Sequence, residues 1–373
     1  MRDNDIIIGA GRLHHLDSLR GVAALAVALH HSFACFFLDR TFVFAYSRYL
    51  FGLSPVVFFF LLSGFVLSRA LDVEKEKRLS GILGYYCRRF FRLYPAALVS
   101  ILFASLVAYY VTSFGQWPLL CSWFEWVDHF GERSAEISKH WGAILFFRET
   151  YPYNTPLWTI REEFACSFLL PLLIILLTAC PWLTLATGGI LAWMLWKKPY
   201  YLSSYMFPFY LGYMIHKASP HFENIGEKKT KYILFFALLL WASLSNCVFN
   251  PVPVSIVLGI ILLVIIPCQW HFLRRLLESA PLRFLGRISY SFYLLHFPIM
   301  LLICGLLSVY LERVLLTLGR TASSLFVFLL SVSATLIAAE IMERLVESPF
   351  NRFGRVLSKK IPITRPTSSP SLI

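Results

Sequence analysis

Long apolar stretches separated by short polar segments dominate the chain. A helix needs about 20 apolar residues to cross a bilayer, and ten stretches approach that length. They cover residues 19–38, 49–70, 95–114, 157–178, 181–196, 200–216, 231–249, 254–272, 288–308 and 321–343. Runs of this length favour a helical bundle over a barrel, whose strands are short and alternate in polarity. The pattern predicts an all-α, polytopic membrane protein with about 10 transmembrane helices.

Composition and charge support a membrane protein. Of the 373 residues, 58% are hydrophobic and only 15% are charged, whereas a soluble protein carries about 25% charge. One set of alternating loops holds 23 of the 34 lysines and arginines, and the other set holds 9. Because basic loops stay in the cytoplasm, both termini are predicted to be cytoplasmic. The net charge of +13 is thereby explained by orientation in the lipid bilayer, and no nucleic acid partner is expected.

Three further expectations concern the segments around the spans. A membrane domain over 1–355 is followed by a disordered cytoplasmic tail, 356–373, which is rich in Pro and Ser. The long external loop, 115–156, is rich in Trp and acidic residues. It is predicted to be either a lid that contacts sugars or an aromatic belt at the membrane interface. The eight cysteines form no CxxC spacing, so no metal site is predicted.

Two ionisable side chains share one face of the first predicted helix. Arg20 and His31 are eleven residues apart, which places them about 20° apart around the axis and roughly 16 Å apart along it. Such groups are expensive in hydrocarbon and therefore indicate function. A neutral histidine can act as a general base, with Asp17 in support. The alternative is a histidine that hydrogen-bonds between helices while Arg20 reaches the cytoplasmic interface.

Three arginines open the third predicted span. Arg89 precedes Arg92 by three residues and Arg88 precedes it by four, and both spacings place the two side chains on one helical face. Guanidinium groups arranged in this way bind phosphates. They are equally compatible with a positively charged anchor on the cytoplasmic side.

Two more segments carry polar groups into predicted spans. Trp158 is followed by Arg161, Glu162 and Glu163, which are costly near a membrane unless paired or hydrated. An Arg161–Glu162 pair at the interface is the simpler interpretation. Ser289, Tyr293 and His296 lie at helical spacing on one side of the ninth span, where they serve either the site or interhelical hydrogen bonds.

These segments together resemble the membrane acyltransferase family 3, the multi-span bacterial proteins that acetylate surface sugars. The similar stretches are an arginine, ten residues and a histidine (20–31), FLLSGF (60–65), RRFFRLYP (88–95), LWTIREEF (157–164), ISYSFYLLHFP (288–298) and ESPF (347–350). The Trp158 segment departs from the family pattern, because Arg161 and Glu162 are unusual and Phe164 replaces a second acid. The form of the family without an appended periplasmic domain is the one resembled.

The resemblance implies an enzyme that transfers an acetyl or short acyl group, with no bound cofactor. The donor would be an acyl-CoA, most simply acetyl-CoA, reaching the protein from the cytoplasm. The acceptor would be a hydroxyl of a carbohydrate or lipid-linked glycan at the other face of the bacterial inner membrane. Catalytic roles fall on His31, Arg20 and Glu163, donor binding on Arg88, Arg89 and Arg92, and support on Asp17, Trp158, Ser289, Tyr293 and His296. Glu163 would orient the acceptor or the imidazole.

A transporter or flippase for a glycan or small solute is the rival interpretation. It also needs ionisable residues inside the membrane. The cytoplasmic arginines favour the enzyme, since a bulky phosphorylated donor requires such a site.

Overall fold

A computed structural model describes residues 13–36, 52–74, 78–112, 154–180, 182–197, 202–222, 225–244, 251–266, 270–318 and 320–361. Within these ranges the regular elements are helices alone. They are α1 (His14–Phe36), α2 (Ser54–Glu74), α3 (Arg78–Thr112), α4 (Leu157–Ala179), α5 (Leu183–Lys197), α6 (Leu202–Ala218), α7 (Glu227–Leu244), α8 (Pro251–Ile265), α9 (His271–Leu277), α10 (Ala280–Leu318), α11 (Arg320–Met342) and α12 (Ser348–Lys359). A π-helical turn, Glu343–Glu347, joins α11 to α12.

Five segments of the described helices are long and apolar enough to cross a membrane. They are Ser54–Asp72, Gly81–Val111, Leu157–Ala179, Ala280–Leu311 and Leu325–Lys359. The prediction of an all-α membrane bundle is therefore confirmed. The number of ten spans and the cytoplasmic position of the termini stay predictions. Most of the predicted external loop, 115–153, lies outside the described residues.

Helices α1 and α10 run parallel and in register. A Cβ on Gly21 would lie only 2.7 Å from the backbone nitrogen of Gly286, so the two backbones approach closely there. Ten residues further along both helices, His31 contacts His296. Small residues permit such close crossings in membranes. The shared direction agrees with the predicted order, in which the first and ninth spans cross the same way.

A second close crossing joins α2 to α6. A Cβ on Gly64 would overlap the backbone carbonyl of Phe209, and a Cβ on Gly212 would overlap that of Leu61. Only glycine fits at these two positions without moving the backbones apart. This crossing places α2 between α6 and the α1–α10 pair.

Helices α3 and α4 are antiparallel and are joined by polar contacts along their length. Tyr85 donates a hydrogen bond to the Ser167 carbonyl at 2.8 Å. Further along α3, Arg89 contacts Glu163. The amide of Asn154, just before α4, donates to Ser100 at 3.4 Å. These contacts fix the depth at which α4 begins.

Two prolines explain two of the side-chain contacts. Pro171 and Pro298 lie inside α4 and α10, and proline removes the N–H that would bond the carbonyl four residues earlier. Those carbonyls belong to Ser167 and Leu294. Tyr85 donates to the first, and Asn154 donates to the second at 3.2 Å. Neighbouring helices thus replace hydrogen bonds that the bilayer cannot supply.

The predicted start of a disordered tail at residue 356 is wrong. Helix α12 continues to Lys359 and packs on α3. A Cβ on its buried Gly354 would lie 2.7 Å from Phe91, and Phe353 packs its ring edge-on against Phe91. The helix has an apolar face and a basic face, so its average hydropathy is too low to reveal it in the sequence. Residues 362–373 lie outside the described residues.

The crossing of α2 and α6 predicts opposite effects for two identical substitutions. We expect Gly64→Ala to lower the thermal unfolding midpoint in detergent, because its Cβ forces the helices apart. Gly189→Ala is the matched control, since no atom lies within 4 Å of a Cβ there and alanine favours the helix by about 0.5–1 kcal/mol. Equal midpoints for the two variants would contradict the close approach.

If Tyr85 replaces the hydrogen bond that Pro171 removes, the effects of substitutions at these two residues on stability should not be additive. Tyr85→Phe should lower the free energy of unfolding by about 1 kcal/mol. In a Pro171→Ala background the loss should shrink, because the restored N–H bonds the Ser167 carbonyl from within α4. A double-mutant cycle of thermal unfolding measures this coupling. A coupling energy of zero would contradict the account.

Candidate active site

A cavity lies between α1, α2, α4 and α10, with about 400 Å³ of empty space when its opening is included. Its lining combines one guanidinium, one carboxylate, hydroxyl groups and aromatic rings. The lining residues are Arg20, Val56, Phe59, Phe60, Thr159, Ile160, Glu163, Ser289, Tyr290 and Tyr293. Four of the sequence-predicted site residues, from three separate helices, therefore meet at one space.

Arg20 supplies the cationic wall of this cavity. Within the described part of the chain, no hydrogen bond of at most 3.5 Å joins its guanidinium to another side chain. Its electrostatic neighbours are Glu163 and Asp17, which attract it, and Arg89 and Arg92, which repel it. A guanidinium has five N–H donors, so Arg20 has donors to offer a ligand.

Glu163 supplies the anionic wall and is held from behind. Its Oε1 accepts hydrogen bonds from Ser63 at 2.8 Å and from Arg89 at 2.5 Å. Arg89 also donates to Ser167 at 2.8 Å, which completes its position between α3 and α4. Arg89 is buried, and its charge is balanced by the carboxylate. In the described structure no hydrogen bond occupies Oε2 of Glu163, so this oxygen can accept from a ligand.

Arg92 forms a second ion pair, with Glu347 of the π-helical turn. Glu347 is buried and also accepts from Ser291 at 2.7 Å. The Arg92 guanidinium lies over the Tyr290 ring, 5.6 Å from its centroid. This pair connects α3, α10 and the end of α11.

The three predicted phosphate-binding arginines therefore do not form one cluster. Arg89 and Arg92 are bound to two different carboxylates. Arg88 instead donates to Ser358 of α12 at 3.3 Å. Each of the three guanidinium groups thus has a side-chain partner of its own, and their role in donor binding stays a prediction.

A pair of histidines joins α1 to α10, outside the residues that line the cavity. His31 Nδ1 and His296 Nε2 are 2.9 Å apart, and the ring planes are inclined by only 15°, with centroids separated by 5.1 Å. His296 is buried, with 3% of its surface exposed. Its Nδ1 donates to the Tyr293 carbonyl at 2.8 Å. Within the described residues His31 thus contacts His296, whereas Glu163 contacts Ser63 and Arg89, and the role of Glu163 in orienting the acceptor or the imidazole stays a prediction.

Tyr293 connects the cavity to the histidine pair. Its ring lines the cavity, and its hydroxyl lies 2.8 Å from that of Thr159. Its ring also packs against that of His296, with centroids 5.7 Å apart. A chain of contacts through Tyr293 and His296 therefore leads from the cavity to His31.

The remaining predicted residues have varied positions. Ser289 lines the cavity and is buried. Asp17 lies near Arg20 as an electrostatic neighbour.

Trp158 packs against Tyr205, with ring centroids 5.2 Å apart, so it supports the wall behind the cavity. Arg161 pairs with the buried Glu162 at 2.5 Å, as the simpler interpretation of that segment expects.

Sequence reasoning missed Asn154. It is 1% exposed and binds the Leu294 carbonyl, two residues before His296. It thereby attaches the start of α4 to the part of α10 that carries the histidine. The available signal was Pro298, because a proline four residues after Leu294 leaves that carbonyl in need of an outside donor.

Comparison with known proteins identifies the family of the chain. An acyltransferase domain model matches residues 13–341. The chain belongs to the acyltransferase 3 family and is a membrane acyltransferase. The transporter interpretation is set aside on this evidence.

Two relatives illustrate the range of similarity. The peptidoglycan O-acetyltransferase OatA of Listeria monocytogenes is 31% identical over 98 residues, which cover 26% of this chain and 14% of that protein. A provisionally named O-acetyltransferase of Staphylococcus aureus strain COL is 23% identical over 376 residues, covering 91% of this chain and 57% of that protein. This chain therefore spans little more than half the length of the second relative. No solved structure matches it.

The Arg89–Glu163 pair yields a test of charge balance. Arg89→Gln leaves a buried carboxylate without its partner, which typically costs about 3–5 kcal/mol. Replacing both residues, as Arg89→Gln with Glu163→Gln, removes both charges and should recover most of that loss. Thermal unfolding of the purified variants in detergent measures both effects. A double variant no more stable than Arg89→Gln would contradict the assigned pairing.

Proposed function

We propose that this protein moves an acetyl group from acetyl-CoA, on the cytoplasmic side, to a sugar hydroxyl of a cell-surface or lipid-linked glycan. The transfer would take place in the bacterial inner membrane. The observation that carries the proposal is a chain of contacts that leads from a cavity with both cationic and anionic walls, through Tyr293, to the His31–His296 pair. The names of the two relatives, both O-acetyltransferases, support the acetyl group and the oxygen acceptor.

The cavity is suited to the pantetheine arm and thioester of the donor. The arm carries amide carbonyls, to which the Arg20 guanidinium can donate. It also carries amide N–H groups, for which Oε2 of Glu163 is an acceptor. The rings of Phe59 and Phe60 provide apolar contact for its methylene groups.

His31 then performs the proton transfer. The acceptor oxygen forms a bond to the acyl carbon, and the bond from that carbon to sulfur breaks. As general base, His31 takes the hydroxyl proton and returns it to the departing sulfur. If the acyl group first moves to the protein, the same imidazole nitrogen is the nucleophile. Both routes require a lone pair on a positioned His31.

In this account the remaining charged residues are structural supports. Arg89 holds Glu163 in place, and Arg92 with Glu347 fixes the helices behind Tyr290. A ligand entering the cavity thus meets side chains that are already oriented. Such preorganisation avoids reorganisation during the reaction.

The proposal predicts loss of acetyl transfer in His31→Gln. Membranes containing the protein would be incubated with radiolabelled acetyl-CoA, and label would be counted in the glycan fraction. Removing a positioned general base lowers the rate by about 10²–10⁴, so the variant should be nearly inactive. His221→Gln, a change at an exposed histidine, is the matched control and should retain full transfer.

Two outcomes would overturn the proposal. Near-full transfer by His31→Gln would remove the histidine from the chemistry. Donor-independent flux of a glycan, with acetyl-CoA left intact, would instead indicate a transporter.

A further inference from the structure

We propose that His296 is a positioning residue that fixes the tautomer of His31 and leaves the reactive lone pair on Nε2 of His31. This inference rests on the proposed function, because it concerns the histidine that accepts the proton. It follows from the direction of two consecutive hydrogen bonds, each of which has one allowed donor.

The first bond fixes the protons of His296. Its Nδ1 lies 2.8 Å from the Tyr293 carbonyl, and a carbonyl oxygen can only accept, so Nδ1 carries hydrogen. In the neutral ring Nε2 is then an acceptor. A second proton would place a charge in a buried site, and in the described part of the chain no carboxylate pairs with His296. Burying an unpaired charge is strongly unfavourable.

The second hydrogen bond determines which ring nitrogen of His31 carries the proton. Nε2 of His296 lies 2.9 Å from Nδ1 of His31. Since the first nitrogen is an acceptor, the second must be the donor, and His31 carries its proton on Nδ1. A neutral imidazole has only one N–H, so Nε2 of His31 holds a lone pair. The bond made by one ring nitrogen commonly sets the state of the other in this way.

The geometry of the helices makes the arrangement rigid. Tyr293 and His296 are one turn apart on α10, so the first bond lies within a single helix. The close approach of Gly21 and Gly286 holds α1 against α10. Phe297 packs edge-on against His31, with ring centroids 5.1 Å apart, which restricts rotation of the His31 ring.

Nε2 of His31 is the nitrogen left for chemistry. Within the described residues it has no hydrogen-bond partner, whereas Nδ1 is occupied by His296. The neighbouring His30 projects elsewhere, toward Gly52. The structure thus assigns the two nitrogens of His31 different tasks, one for orientation and one for proton or acyl transfer.

Two substitutions at residue 296 separate this role from a general packing role. His296→Gln ends near the position of Nε2 and offers an amide oxygen to Nδ1–H of His31. His296→Asn is one methylene shorter, so it can bond its own helix but cannot reach His31. Both variants are polar and of similar size, and comparable thermal midpoints would show that both fold.

The direct measurement is nitrogen-15 NMR of the full-length protein in nanodiscs with labelled histidine. A His31→Gln sample identifies the His31 signals among the ten histidines. In the unmodified protein we expect Nδ1 protonated and Nε2 unprotonated. In His296→Asn the His31 signals should move toward the tautomer mixture of free imidazole, and His296→Gln should keep the original state.

Kinetics provide the second measurement. His296→Asn should lower kcat for acetyl transfer about 10²-fold with little change in the KM for acetyl-CoA, since small misplacements of a reacting group have effects of that size. His296→Gln should recover part of kcat.

A protonated Nε2 in the unmodified protein, or an unchanged His31 spectrum in His296→Asn, would overturn the inference. Failure of the proposed function is distinguishable, because the NMR result does not depend on acetyl transfer.

Discussion

The structure depends on one constraint, which is that a charge buried in a membrane protein needs a partner. Arg89 meets it with Glu163, and Arg92 meets it with Glu347. Each pair joins helices that are distant in sequence, so the requirement for pairing also determines which helices are neighbours. Arg20 is different, because its guanidinium faces a cavity and has no hydrogen-bonded carboxylate among the described residues. Among the described residues, the constraint that explains the paired charges therefore points to Arg20 as a charge that is available to a ligand.

The parallel packing of α1 and α10 relates Arg20 to the histidine pair. The two backbones touch at Gly21 and Gly286 and stay in register up to His31 and His296. Under the proposed function, the spacing of roughly 16 Å along α1 is the distance between a donor-binding end and a reactive end. The substrate groups proposed for the two ends differ in chemistry, with carbonyl oxygens at the arginine and a hydroxyl at the histidine. A thioester that enters past the arginine is thereby brought toward the imidazole.

Features that follow from the helical period could be predicted from the sequence. Contacts between residues that are distant in the sequence could not. The shared face of Arg20 and His31 follows from 3.6 residues per turn, and both side chains do face α10. The partners of the arginines lie 74 and 255 residues away, and no local pattern specifies such pairs. From the sequence the arginines have no visible partners, and they were therefore interpreted as a phosphate site. In the folded chain Arg89 and Arg92 form ion pairs. Helix α12 was missed because its basic residues lower the average hydropathy of a stretch that packs through Gly354.

The central claim is that Arg20 holds the donor while His31 acts on it. Binding of radiolabelled acetyl-CoA to purified Arg20→Gln and His31→Gln proteins tests this division most directly. We expect Arg20→Gln to weaken binding about tenfold or more, as loss of a charged hydrogen bond implies. His31→Gln and the control Arg344→Gln, at an exposed arginine, should bind the donor as the unmodified protein does. Unchanged binding by Arg20→Gln, or lost binding by His31→Gln, would contradict the account.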